Sequence, residues 1–282
     1  MSRFRDKVAV VTGAGSGIGR ALAQALAARG ARAVVVADID GASAGETAEM
    51  VRASGAEAMQ ATLDVAEMEA FSHLAQTVRD RFGVVHQLYN NAGIAQGAQP
   101  FVEIAPEQVE RVLRVNLFGV LNGTRAFLPL LIESGDAHLV NISSLNGLMA
   151  QGEGSIYCTS KFAVRGFTES VRIEMLMAGH KVEVIVVHPG GVRTNIATAS
   201  RESAGQLPPD LQARAEARER VYNEKLLTMP AEDAVKEMLD GIEKGRSRIV
   251  ITGQARFIDR LIRFMPESYP RRVVEWQRKT FG

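Results

Sequence analysis

The sequence predicts an α/β fold: a doubly wound parallel sheet of about seven strands with helices on both faces. Three observations predict it. Short β-branched runs alternate with longer helix-like segments, the runs are apolar throughout instead of at every second residue, and the first breaks at a glycine cluster that opens a helix. A strand apolar on both sides must be covered on both sides, as in a parallel sheet wrapped by crossover helices. Regular alternation also separates this class from folds in which strands and helices are segregated.

Taken in order, residues 7–12 (KVAVVT) read as the first strand, and 18–29 as an alanine- and leucine-rich helix closed by Gly30. Strand-like runs recur at 33–38, 58–63, 85–90, 138–142, 182–188 and 248–251. Between them lie helical stretches, including 41–54, 67–82, 106–131, 156–177 and 231–244. After Pro189 the pattern loosens. Residues 193–228 contain Pro208-Pro209 and a dense charged stretch, 210–225, and read as an insertion between the sixth strand and the next helix. That stretch is either a solvated helix face or a lid over a substrate. The chain 1–282 thus reads as one domain with this insertion and a C-terminal extension, 253–282.

The extension is apolar at Phe257, Ile258, Leu261, Ile262 and Met265, and its basic residues outnumber its acidic ones. An amphipathic helix of this kind packs on the body or on another subunit, or makes peripheral contact with a lipid surface; both readings stay open.

Composition narrows the function classes. With 33 basic and 32 acidic residues in 282, the chain has no global field to gather nucleic acid. One cysteine, Cys158, excludes an internal disulfide framework and fits a reducing compartment. The apolar run after the charged residues 1–7 ends at Thr12-Gly13, too short for a signal peptide. No apolar run approaches the roughly 18 residues of a membrane span. A cytoplasmic location without a membrane span is the expectation. His73, His86, His138, His180 and His188 show no paired metal-ligand spacing, so no metal is expected.

The glycine cluster is the first chemical signal. Thr12-Gly13-Ala14-Gly15-Ser16-Gly17-Ile18-Gly19 follows a strand and opens a helix. Glycines permit tight turning and close backbone approach, and a helix N-terminus offers unpaired N–H groups to a pyrophosphate. The spacing is G-x-x-x-G-x-G, through Gly13, Gly17 and Gly19, instead of the commoner G-x-G-x-x-G. Asp38 ends the second strand, near the offset where an acidic side chain receives ribose hydroxyls. A carboxylate there suits NAD and repels the 2′-phosphate of NADP, and the next residue, Ile39, brings no compensating cation.

The second signal is Tyr157 with Lys161, four apart on one helix face. A free phenol has a pKa near 10, about a tenth of a percent ionised at neutral pH. A cation at about 4 Å is worth at most a few kcal/mol at an effective dielectric near 20, enough to draw Tyr157 toward a working range. Ser144 lies thirteen residues upstream, just after a strand, and its hydroxyl both donates and accepts. Asn116 sits inside a helical stretch, where asparagine is unfavourable; it marks either a functional distortion or an exposed amide. Cys158 reads as core packing, and His188, nearest the cofactor segment, as structural.

The glycine cluster, Asn90-Asn91-Ala92-Gly93, Asn116, Ser144, Tyr157-Cys158-Thr159-Ser160-Lys161 and Pro189-Gly190 occur in that order. In this the chain resembles the short-chain dehydrogenase/reductase family, over roughly residues 5–252, and the resemblance implies a Rossmann-like sheet. It further implies that Asn116, Ser144, Tyr157 and Lys161 form a catalytic tetrad, with Lys161 also on the nicotinamide ribose and Asn116 anchoring a water. Gly13, Ser16, Gly17, Ile18 and Gly19 would hold the pyrophosphate, Asp64 and Val65 the adenine, and Asn90, Asn91, Ala92 and Gly93 the adenosine and ribose. Pro189, Gly190, Val192 and Thr194 would orient the carboxamide. The family's members form dimers or tetramers through the helices bearing Asn116 and Tyr157, so a homodimer or homotetramer is implied.

The expected activity is reversible NAD(H)-dependent hydride transfer between a secondary alcohol and its ketone. Ile94, Leu148 and Met149 point to a hydrophobic small-molecule substrate, and Asn146 and Gln151 are expected to face it as well. One alternative is a 3-oxoacyl reductase, against which Asp38 argues because such enzymes generally prefer NADP. A nucleotide-sugar epimerase would bring a longer chain and different glycine spacing. A non-catalytic NAD sensor is disfavoured by the intact Ser144, Tyr157 and Lys161.

Overall fold

The computed structural model describes residues 3–194, 220, 221, 224 and 226–281. Most of the charged stretch 210–225 and of the insertion 193–228 lies outside them. Seven parallel strands form one sheet: β1 (Val8–Thr12), β2 (Ala33–Asp38), β3 (Glu57–Thr62), β4 (Gln87–Asn90), β5 (Ala137–Ile142), β6 (Val182–His188) and β7 (Arg248–Val250). Their order across the sheet is β3-β2-β1-β4-β5-β6-β7. The winding reverses between β1 and β4, where Ala9 pairs with Gln87 and Val11 with Tyr89. A crevice opens there at the carboxyl ends of the strands, because the loops leave in opposite directions.

Among the described residues, the helices are α1 (Gly17–Ala28), α2 (Gly41–Ala53), α3 (Met68–Phe82), α4 (Pro106–Leu113), α5 (Gly119–Ser134), α6 (Ser155–Ala178), α7 (Ala231–Glu243), α8 (Gly253–Phe264) and α9 (Tyr269–Phe281). Successive residues of β1 serve opposite faces, as strand geometry requires. Ala9 and Val11 pack with Leu22, Leu26, Met238 and Leu239 of α1 and α7, while Val10 packs with Phe71, Phe127 and Leu131 of α3 and α5. Phe71 and Phe127 meet edge to face with centroids 6.5 Å apart. Each such fully buried side chain contributes about 1.5–3 kcal/mol.

Strand and helix positions agree with the expectation to within a residue or two, apart from three differences. The edge strand β3 is only half buried, since β2 alone flanks it. The stretch 106–131 is interrupted at Arg114–Phe118 by a π-helical turn and then runs on to Ser134. By length and composition alone, Pro106–Ser134 is apolar enough to cross a membrane. Here Val120 is buried, Phe127 and Leu131 pack on the sheet, and Val112 packs with Ile104 and Ile156. Third, the extension forms two helices, and it packs on the body. Arg248 on β7 grips Asp259 of α8 through two hydrogen bonds, at 3.0 and 2.6 Å. Gln277 of α9 exchanges two more, each 3.3 Å, with the backbone of Gly152.

Candidate active site

The glycine turn shapes the floor of the crevice. Gly13 and Gly17 have φ of +62° and +50°, a region that side chains with a Cβ avoid. Gly19 serves by its bareness: a Cβ there would stand 2.0 Å from Gly13 O. Thr12 ties the turn to the neighbouring strand end, its Oγ1 accepting from Asn91 N at 3.0 Å and Ala92 N at 3.1 Å. Asn91 returns the contact, donating through Nδ2 to Thr12 O at 2.9 Å. At the end of β2, the Asp38 carboxylate accepts from Gly15 N at 2.7 Å and Asp40 N at 3.0 Å. It is thereby fixed beside the turn, with lone pairs to spare. The N-cap of α2 is Asp40, so Asp38 is released from that duty.

Asn116 occupies the π-helical turn, fully buried. An extra residue in a turn re-aims the side chain without ending the helix. Its Oδ1 accepts from Ile94 N at 2.8 Å, and its Nδ2 donates to Ile94 O at 2.9 Å and Ser160 Oγ at 3.2 Å. Ser160 in turn donates to Tyr157 O at 2.7 Å. Of the two readings of Asn116, the structure selects the distortion.

Lys161 is buried yet reaches the crevice wall. Its Nζ donates to Ile142 O at 3.1 Å and stands 5.8 Å from the centre of the Tyr157 ring. Burial lowers its ammonium pKa to about 8. Ser143 fastens the same residue from below, donating through Oγ to Lys161 O at 2.8 Å. Ser144 stands at the end of β5, its Oγ accepting from Asn146 N at 3.1 Å. Behind it, buried His188 lies with Nδ1 2.9 Å from Ser144 O. A carbonyl only accepts, so Nδ1 carries the proton. Burial pushes the His188 pKa down to about 4, so the ring is neutral.

One cavity of about 1910 Å³ joins these elements. That exceeds the roughly 300–1,000 Å³ of a pocket for one drug-sized ligand. Gly13, Ser16, Gly17, Ile18, Asp38, Asp64, Val65, Asn91, Ala92, Gly93, Pro189, Gly190, Val192 and Thr194 line it. Ser144, Tyr157 and Lys161 line it as well. Gly19 and Asn116 do not line it; they shape it from behind. Asn90 turns into the core, donating to Asn141 Oδ1 at 2.8 Å. Ile94, Asn146, Met149 and Gln151 face the cavity as expected. Leu148 does not: it is buried and outside the lining, because the short 3₁₀ turn Leu145–Gly147 rotates it away. Cys158 is buried beside Asn146, and its thiol pKa is raised by burial.

Two groups of residues were not placed at the site by the sequence reading. The extension roofs the cavity with Ile258, Leu261 and Ile262 of α8 and Val273 and Trp276 of α9. Gln96 enters the wall from the loop after β4, and nothing in its sequence context marks it. The glycine turn, the bare approach at Gly93, where a Cβ would stand 3.4 Å from Lys161 Nζ, and the acid at the end of β2 fit a dinucleotide.

Comparison with known proteins agrees with this geometry. The family model for short chain dehydrogenases matches residues 7–205. A Mycobacterium tuberculosis protein, SadH, which carries the name of an oxidoreductase, is 45% identical over 282 residues, covering 100% of this chain and 99% of its own. A short chain dehydrogenase/reductase from Burkholderia phymatum, solved in complex with NAD, superposes with a TM-score of 0.87 at 32% identity, over 95% of this chain and 96% of that one. A Burkholderia cenocepacia short chain dehydrogenase in complex with NADP superposes at 0.75 and 28% identity, covering 97% and 99%. Sheet order, glycine turn and the match over most of the chain lead to one assignment: the protein is an oxidoreductase of the short chain dehydrogenase family.

Proposed function

We propose that the protein interconverts a secondary alcohol and its ketone with NAD(H), and that Asn116, Ser144, Tyr157 and Lys161 carry the reaction. One observation supports this above the rest. A buried ammonium, anchored at Ile142 O, stands beside the Tyr157 ring in the wall of a cavity shared with Ser144. Bound NAD supplies the acceptor for the hydride that leaves the alcohol carbon. Tyr157, as phenolate, takes the hydroxyl proton; in reverse, the phenol returns it to the carbonyl oxygen. The Lys161 ammonium favours the phenolate electrostatically, more strongly in a buried site than in water. The Ser144 hydroxyl holds the substrate oxygen. Asn116 keeps Ile94 and, through Ser160, the Tyr157 backbone in register.

For the cofactor, Gly13, Ser16, Gly17 and Ile18 are assigned the pyrophosphate, Gly19 the packing beneath it, and Asp64 and Val65 the adenine. Asn91, Ala92 and Gly93 take the ribose side; Pro189, Gly190, Val192 and Thr194 take the carboxamide. Asp38 with Ile39 favours NAD over NADP, since Asp38 turns a carboxylate toward a 2′-phosphate and the next residue brings no cation. The apolar roof and wall, Ile94, Met149, Ile258, Leu261 and Trp276, favour a lipophilic substrate. Exposed Phe118, Phe162, Ile173 and Leu176, on the turn and helix that bear Asn116 and Tyr157, support a homodimer or homotetramer.

The test is NADH formation by purified protein across a panel of lipophilic secondary alcohols, with NADP in parallel. Turnover with NAD, and weaker or no turnover with NADP, is the expected result. Failure to bind NADH would overturn the cofactor assignment; binding without turnover of any alcohol would turn the reading toward a sensor.

A further inference from the structure

The segment 91–96 ties the cofactor strand to both helices of the site. Asn91 meets Thr12, Ile94 is held by Asn116, and Gln96 reaches the start of α6. Gln96 is buried, and its Oε1 accepts from Ile156 N at 2.7 Å and from Tyr157 N at 3.0 Å. The helix needs such an acceptor. First-turn N–H groups have no partner within a helix, and Gly154, in front of α6, has no side chain to offer. Gln96 supplies from a distant loop what serine or aspartate supplies at an ordinary N-cap.

Two N–H donors fix the orientation of the amide, because only its oxygen accepts. Among the described residues, Gln96 Nε2 is then left buried without a partner. The acceptor bonds therefore hold this side chain in place. Its backbone is held too: Gln96 O accepts from Gln108 Nε2 on α4.

We propose that Gln96 is a positioning residue for Tyr157, clamping its N–H to the cavity wall and so setting the distance from phenol to ammonium. Tyr157 is the third residue of α6, in the turn that frays first. Lys161 lies one turn deeper and is held independently, through Ile142 and Ser143. Release of the clamp moves the phenol and leaves the ammonium where it is. The electrostatic support of the phenolate weakens as that distance grows.

The inference rests on Tyr157 as the proton-transferring residue, and its test reads that tyrosine directly. Subtracting the near-ultraviolet titration of Tyr157→Phe from that of the unaltered protein isolates Tyr157 among the four tyrosines. Gln96→Met keeps length and bulk but loses the acceptor; Gln96→Glu keeps an acceptor for both N–H groups. In Gln96→Met, the Tyr157 ionisation midpoint rises by about one pH unit, and kcat on its high-pH plateau falls about tenfold. NADH affinity stays within about twofold. Gln96→Glu recovers plateau kcat to within about threefold of the unaltered protein, although its charge also moves the midpoint. If Gln96→Met fails to bind NADH, Gln96→Asn, too short to reach α6, is measured in its place. An unmoved midpoint in a variant that binds NADH normally overturns the proposal, as does a Gln96→Glu protein as impaired on the plateau as Gln96→Met. If no alcohol is oxidised even by the unaltered protein, the dehydrogenase reading fails while the midpoint still decides the clamp.

Discussion

The carboxamide of Asn116 reads both sides of Ile94, accepting from its N–H at 2.8 Å and donating to its C=O at 2.9 Å. The pair joins a π-helical turn to the loop leaving β4, so the wall of the cofactor crevice and the helix behind it move as one. Asn116→Ala leaves the part-buried N–H and C=O of Ile94 without these partners, at about 1 kcal/mol for each. The expected outcome is a lower urea midpoint, with kcat falling further than NADH affinity. Equal losses in both would show that Asn116 only stabilises the fold.

The proposed preference for NAD rests on Asp38. With the carboxylate removed and a cation placed beside it, in Asp38→Ser combined with Ile39→Arg, repulsion of a 2′-phosphate becomes attraction. The ratio of kcat/KM for NADP to that for NAD is expected to rise at least about tenfold, or about 1.4 kcal/mol. Asp38 also accepts from Gly15 N, so some loss of stability accompanies the change. An unchanged ratio would remove Asp38 from the selectivity account.

Lys161 makes the ligand-free protein sensitive to alkaline pH. Its folded pKa, about 8, lies below the ordinary 10.5. Between those values the unfolded chain binds the proton that the folded one has released, so stability rises with pH. Below about pH 8 the buried ammonium costs about 3 kcal/mol, and the cost is gone above about 10.5. Compared with Lys161→Met, the unaltered protein should gain that amount in denaturant unfolding across this window. A flat difference would mean that the ammonium is well solvated.

His188 supports Ser144 through a neutral ring. Its folded pKa, about 4, is depressed from 6.5, so its contribution is complete above about pH 6.5 and is lost as pH falls toward 4. His188→Leu removes the hydrogen bond to Ser144 O, at about 1 kcal/mol, and should blunt the acid-side loss of stability. A variant with an unchanged acid transition would contradict this.

Much of the molecule was legible because its signals are local. Strands such as 182–188 are apolar on both faces, and the glycine turn declares itself by residue type alone. Tyr157 and Lys161 were found because four residues is one helical turn. What escaped depends on tertiary partners. Asn116 betrayed a distortion, but the π-helical turn exists because Ile94 waits opposite it. Leu148 lies close in sequence to Ser144, yet a 3₁₀ turn faces it inward. Gln96 carries no signal, since a glutamine in a loop becomes a helix cap only when a helix from elsewhere in the chain arrives beside it. The roof over the cavity was visible as an amphipathic pattern, with its partner unnamed.

The central claim is that Tyr157 moves the proton, and Tyr157→Phe tests it most directly because the change removes one oxygen and leaves the ring in place. With the alcohol that the unaltered protein oxidises best, the account predicts that kcat falls by at least about a hundredfold, the usual scale of a lost general acid or base. NADH binding, followed on the same sample, should stay within about twofold. A Tyr157→Phe protein that still oxidises the alcohol at close to the original rate would contradict the account.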